Sequence, residues 1–211
     1  MVAQHGSCKY PGHRSRESVI PMPNRGQNTA GLSAQAAQIA PDPRELEQVL
    51  KQDGSPERFC AELAKVFQVR STEVALLKLQ ESLLKFIFPA ELAIVGTIPI
   101  SSEGSIAAHT ASSRQIELFN GFAKVKHARI FEMVKLSTND SDPASRAPIQ
   151  KLMTSPVVDG KGEVLGVLQI SRKAFDVNSA GPDFTLDDLQ HLEHAARVLS
   201  RAEFMREATI H

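Results

Sequence analysis

Net charge is missing from this chain: 24 lysines and arginines are balanced by 24 aspartates and glutamates over 211 residues. That removes the electrostatic footprint of a protein that grips nucleic acid or an anionic membrane, and no basic cluster restores it, so neither partner is expected. Cysteine is scarce. Cys8 and Cys60 lie in different surroundings and cannot build the even framework of a small disulfide-bonded domain, so a reducing, cytoplasmic setting is expected. No stretch approaches the roughly 20 apolar residues of a membrane-spanning helix, and the N-terminus lacks the continuous apolar core of a signal peptide. The first 42 residues also lack phenylalanine, since all ten occur at or after Phe59, while they hold four of the twelve prolines and four of the twelve glycines. Such a segment buries too little surface to offset the entropy of ordering it, and residues 1–41 are expected to be a disordered tail. Residues 42–205 are expected to form one domain with a proper core, followed by a short flexible end at 206–211.

What is present divides into clear elements. Asp42-Pro43-Arg44-Glu45 places a cap, a first-turn proline and a glutamate ahead of Leu46, Val49 and Leu50, and Asp53-Gly54 closes that short helix. Ser55-Pro56-Glu57 starts a second, core-facing helix carrying Phe59, Cys60, Leu63, Val66 and Phe67 on one side. From Thr72 the period changes, and Thr72–Leu79, Ser82–Phe88 and Leu92–Ile100 read as three consecutive antiparallel strands. Ser101–Ser113 reads as a short helix capped by Ser105. Ile116–Phe119 and Ala128–Leu136 read as weaker strands, with Asn120-Gly121 as a turn and 122–127 as an irregular link.

Two apolar runs, Lys151–Val158 and Glu163–Ile170, flank Asp159-Gly-Lys-Gly162 and predict a β-hairpin. Gly166 inside its second strand predicts a close backbone approach or a bulge. Thr185 with Asp188 forms a capping box, and Phe184 against Leu189 forms a hydrophobic staple, opening a helix to about Glu203. Its Leu189, Leu192, Ala196 and Leu199 make the apolar stripe. The layout is α+β: one central antiparallel sheet of five or six strands, with N- and C-terminal helices on one face and an irregular, partly helical cover on the other.

Over Ser55–Ala202 this order resembles a GAF domain, one of a group of ligand-binding folds that also includes PAS domains. The most specific matches are the hairpin Ser155–Ile170, similar to the family's P-L-x-x-x-G-x-x-x-G-V-L, and Phe184–Leu189, similar to its F-T-x-x-D-x helix start. The resemblance implies a non-enzymatic sensory or regulatory module that binds a small molecule under the cover, dimerises through the helices at Arg44–Gln52 and Leu186–Glu203, and passes the signal on. No kinase, cyclase, phosphodiesterase or DNA-binding segment follows Glu203, so output is expected through the dimer or a partner protein. The residues expected to line the pocket are Ile98, Ile100, His109, Thr110, Phe119, Phe131 and Met133, apolar walls with a few polar groups. The competing expectation is a ligand-free interaction domain in which these side chains fill a closed core.

Specific chemistries of the family find little footing. His109 and His127 would be the residues to hold a haem iron, but histidines in such places more often satisfy nearby backbone groups. Cysteine is absent from 61–211, which removes the attachment thiol of bilin-binding relatives. The free methionine sulfoxide reductases of this family need cysteines around the pocket, whereas Cys8 lies in the tail and Cys60 on a core-facing helix where it is expected to be inert. Asp187-Asp188 after Phe184 only superficially echoes the Asn-Lys-x-x-Phe…Asp-Glu pattern of cyclic-nucleotide binders. His191 and His194 flank Glu193 at a spacing of three, but zinc needs further ligands, and a solvated ion pair of His191 with Asp187 or Asp188 is the expected role. Gly160-Lys161-Gly162 joins two strands, which excludes the helix a P-loop requires. No metal and no cofactor is assigned.

Overall fold

The computed structural model describes residues 43–94, 96–122 and 147–206. The expected tail at 1–41, the strand at 128–136 and residues 207–211 lie outside them.

Two helices open the described residues. Helix α1 (Pro43–Gln52) begins at the expected proline, and Gly54, at φ +61°, turns the chain beyond it. Helix α2 (Pro56–Val66) is capped by Ser55, whose side chain accepts from the Arg58 N–H at 3.3 Å, and it buries Phe59, Cys60, Leu63 and Ala64. The next strands are β1 (Val74–Gln80), β2 (Leu83–Phe88) and the short β3 (Thr97–Pro99). Then come helix α3 (Ile106–Ser113), β4 (Glu117–Phe119), the hairpin strands β5 (Ile149–Val158) and β6 (Val164–Lys173), and helices α4 (Leu186–Leu199) and α5 (Glu203–Arg206).

The six described strands form one sheet in the order β3-β2-β1-β6-β5-β4, every neighbouring pair antiparallel. Because side chains alternate across a strand, adjacent residues feed opposite layers. Leu76, Met153, Val157, Leu168 and Ile170 meet Phe59 and Leu63 of α2 and Leu192 and Leu199 of α4. On the reverse, Leu77, Leu84, Phe86 and Val167 meet Ala107, Ala108 and Ala111 of α3. The helix layer therefore occupies one face and α3 the other, as the α+β reading requires.

Gly166 behaves as its position in the strand implied. A Cβ added there would stand 2.1 Å from the Leu77 carbonyl oxygen and 2.8 Å from Met205 Cε, so β6 approaches β1 and α5 where only glycine fits. The hairpin turn is closed by Asp159, whose Oδ1 accepts from the N–H groups of Lys161 and Glu163 at 2.8 and 2.9 Å.

Several expected boundaries change: the helix expected over Ser101–Ser113 begins only at Ile106, and the second hairpin strand runs on to Lys173. Leu92–Ile100 is not one strand: Ala90–Ile94 forms a 3-10 turn, and only Thr97–Pro99 pairs with β2. Gly96 sits at φ +123°, where an extended strand cannot continue, and the alternation that suggested one leaves Ile94 90% exposed. The first strand starts at Val74, after a 3-10 turn at Ser71–Glu73. Helix α4 stops at Leu199 rather than Glu203, its Ser200 carbonyl taken by Arg206 Nε at 2.9 Å.

Candidate functional site

The α3 face of the sheet holds an opening in the region where sequence reasoning expected a pocket. Its first wall is the β3–α3 loop. Ile100 N–H donates to the Ser82 carbonyl at 2.9 Å, and Ser102 N–H to that of Pro99 at 2.9 Å, which folds Ser101–Ser105 back over the sheet. Ser105 then caps α3 by accepting from the Ala108 N–H at 3.3 Å. The small residues Ala107, Ala108 and Ala111 let α3 lie close on the strands beneath it.

A buried polar chain fixes that helix. Thr110 Oγ1 donates to the Ile106 carbonyl at 2.9 Å and stands 3.0 Å from Thr154 Oγ1 of β5, which in turn accepts from Gln169 Nε2 of β6 at 3.5 Å. Thr110 and Thr154 are fully buried, so a hydroxyl left without this partner would be costly. Arg114 ends α3 in the left-handed region at φ +59° and turns the chain into β4. There Glu117 pairs with Thr154 and Phe119 with Leu152.

Between loop, helix and strand lies a cleft of about 540 Å³, lined by Ile100, Ser101, Ser102, Glu103, Ser105, Ile106, His109, Ser112, Glu117 and Phe119. The structure thus brings Ile100, His109 and Phe119 together as anticipated. Ile98 and Thr110 lie elsewhere: Ile98 packs in the interior with Leu84, and Thr110 is spent on the polar chain. Phe131, Met133 and His127 lie outside the described residues.

Sequence reasoning missed the two carboxylates, Glu103 and Glu117. Glu117 shares its strand face with Phe119 at a spacing of two, but nothing local marks either carboxylate, since each reaches the cleft only through the meeting of loop, helix and edge strand. His109 Nε2 stands 3.7 Å from Glu117 Oε1, while Glu117 Oε2 is buried with no hydrogen-bond partner. Among the described lining residues there is no lysine or arginine. Phe119 is held edge-on by Phe122, ring centroids 6.1 Å apart.

A second opening on this face, about 40 Å³, lies between Thr72, Glu73, Phe86, Leu92, Gln169, Ser171 and Lys173. It has room for a water or two and no metabolite. On the helix layer, a groove of about 400 Å³ runs between α1 and the end of α4 over Leu50, Val198 and Ala202, with Arg201 bonded to Glu47 at 3.2 Å on its rim.

The remaining candidates are plainly placed. Cys60 is fully buried, and that burial, with a smaller push from the Glu57 charge, drives its thiol far above the usual range. Asp188 is engaged by Thr185, whose N–H and hydroxyl lie 2.7 and 2.8 Å from Oδ2, so the capping box forms. The ion pair expected for His191 does not form among the described residues. No group of three or more His, Cys, Asp or Glu side chains among those residues is placed to hold a metal ion, and no helix there is long and apolar enough to cross a membrane.

The sequence model of the GAF domain matches residues 57–202. Among solved structures, the fold is similar to the GAF domain of an Acinetobacter phosphoenolpyruvate-protein phosphotransferase, with TM-score 0.55 and 14% identity over 75% of this chain and 87% of that one. It is similar to the GAF domain of a phosphoenolpyruvate-protein phosphotransferase from Coxiella burnetii, with TM-score 0.55 and 9% identity over 78% and 94%. A third is the free methionine-R-sulfoxide reductase from Neisseria meningitidis in complex with its substrate, with TM-score 0.52 and 13% identity over 77% and 86%. At these identities the likeness is one of fold. No curated protein gives a significant sequence match.

Proposed function

The chain belongs to the GAF domain family, and from that premise we propose that it is a cytoplasmic, non-enzymatic sensory module that binds a small organic molecule between the Ser101–Ser105 loop, α3 and β4. The observation that carries this reading is the cleft of about 540 Å³, a volume within the range of metabolite sites, in which Ile100, Ile106 and Phe119 stand beside serine, glutamate and histidine side chains. The Neisseria relative was solved with its substrate, and the proposal carries small-molecule binding to this chain without the reduction chemistry. Cys60, buried and with its thiol held protonated by burial, supports that restriction.

Signalling would be a population shift: a ligand that prefers one seating of α3 biases the whole domain, by no more than its differential affinity for the two seatings. The path is short. Thr110 joins α3 to Thr154 and Gln169, and the neighbouring side chains Met153 and Leu168 pack on the opposite face against the helix layer. Output would pass through a homodimer assembled on α1 and α4 or through a partner protein.

Thermal denaturation across a panel of cationic, neutral and anionic metabolites tests the reading. A ligand at about 100 times its Kd stabilises by about 2.7 kcal/mol, and in a domain of this size that raises Tm by roughly 5–10 °C. Ser112→Trp, at an exposed position on the cleft wall, should abolish the rise while leaving the unliganded Tm unchanged. A panel that moves Tm nowhere would favour the ligand-free interaction domain instead.

A further inference from the structure

Resting on that reading of the cleft, we infer that its ligand is an organic cation, with an amidinium, guanidinium or ammonium head bound by Glu117 and an apolar body against Ile100, Ile106 and Phe119. The argument starts from an unpaired atom. Glu117 Oε2 is buried and has no hydrogen-bond partner, and the nearest candidate on the other oxygen, His109 Nε2, stands 3.7 Å away, beyond hydrogen-bond reach. Native proteins rarely leave a buried carboxylate oxygen in this state, because it has lost water and gained nothing.

Two of the four serine hydroxyls on the wall already have hydrogen-bond partners, and none of the four bonds Glu117. Ser105 accepts from the Ala108 N–H as the cap of α3, and Ser112 Oγ donates to the His109 carbonyl at 3.1 Å. A carboxylate accepts hydrogen bonds and donates none, so whatever satisfies Glu117 must bring N–H or O–H groups. Charge narrows the choice. Glu103 adds a second carboxylate to the wall, and no described lining residue is a lysine or arginine. An anionic ligand would meet two carboxylates and, among the described lining residues, no lysine or arginine, whereas a cation carrying N–H groups pairs with a carboxylate through a short, charge-assisted bond. Phe119 on the same wall adds apolar contact for the body of the ligand.

The test uses the full chain and three probes of nearly equal size that differ in head-group charge: benzamidine, benzamide and benzoate, titrated calorimetrically. Benzamidine should bind at least tenfold more tightly than benzamide, and benzoate more weakly than either. Glu117→Gln should weaken benzamidine at least tenfold and benzamide less than twofold. Its Tm should equal or exceed that of the parent, because the exchange removes a carboxylate whose Oε2 is buried without a hydrogen-bond partner, which separates lost recognition from lost folding. Glu103→Gln, at an exposed position, provides a second variant and should weaken benzamidine by a smaller factor. Benzoate or benzamide binding as tightly as benzamidine, an unchanged affinity in Glu117→Gln, or no binding by any probe would overturn the assignment. If neutral or anionic metabolites still raise Tm in the parent but not in Ser112→Trp, the cleft remains a small-molecule site and only its preference for cations is refuted.

Discussion

Glu73, 7% exposed, receives hydrogen bonds from the Arg70 guanidinium at 2.7 Å, the Arg70 N–H at 2.9 Å and the Lys173 N–H at 2.5 Å. Burial alone would raise its carboxyl, but the bonds from Arg70 and Lys173, with the Arg70 charge, outweigh it and hold the group below the ordinary 4.5. A carboxyl depressed in the folded state adds stability that is complete above the ordinary value and is lost as pH falls through the folded value. Glu73→Gln should therefore cost about 2–3 kcal/mol in urea unfolding at neutral pH, and the gap between variant and parent should narrow as pH is lowered below about 4.5. A gap that stays constant with pH would contradict this. Gly166→Ala should cost about 3 kcal/mol or more, since its Cβ must displace backbone at Leu77, and a Tm within a degree of the parent would show that the strands can part. The two residues differ in legibility. A glycine in an apolar strand run announces a close approach, whereas Glu73 gains its role from Lys173, 100 residues away, and nothing local marks it. Glu117 is of the second kind, because its importance comes from what surrounds it in space.

At the scale of elements, local chemistry decides what can be read in advance. Helices α2 and α4 begin where Ser55 and Thr185 cap them, because a cap needs only residues three apart. Thr185→Ala should cost about 1 kcal/mol, measured by urea unfolding, while an unchanged midpoint would mean that tertiary packing alone holds the start of α4. Strand β3 and the end of α4 were less legible for the opposite reason. The stretch at 92–100 alternates like a strand, but Gly96 breaks it. Helix α4 keeps an apolar stripe to its end, yet the chain turns at Ser200, where Lys78 Nζ reaches the Phe204 carbonyl at 2.6 Å and Met205 packs beside Gly166. Those partners lie more than 100 residues upstream or in another layer. Helix α3 should depend on its polar chain. Thr110→Val should loosen it by about 1–2 kcal/mol and weaken any ligand of the cleft.

For the molecule as a whole, the two-layer design follows from alternation: Val167 and Leu168 are adjacent, both fully buried, and belong to opposite cores. That much was visible in the hairpin sequence, as were the sheet class and the helix layer. The walls of the cleft were only partly visible, since they come from a loop, a helix and an edge strand whose meeting depends on β4 lying beside β5. The proposed dimer belongs to this scale too. The full chain should sediment as a dimer, and a monomer at all concentrations would move the output to a partner protein. The most direct measurement of the central claim is an isoleucine-methyl NMR spectrum of the full chain during titration with the metabolite panel. Ile100 and Ile106 line the cleft, whereas Ile170 lies in the helix-side core. A bound ligand should shift the Ile100 and Ile106 signals first and most, and spectra that never change, or that change only at Ile170, would contradict the account.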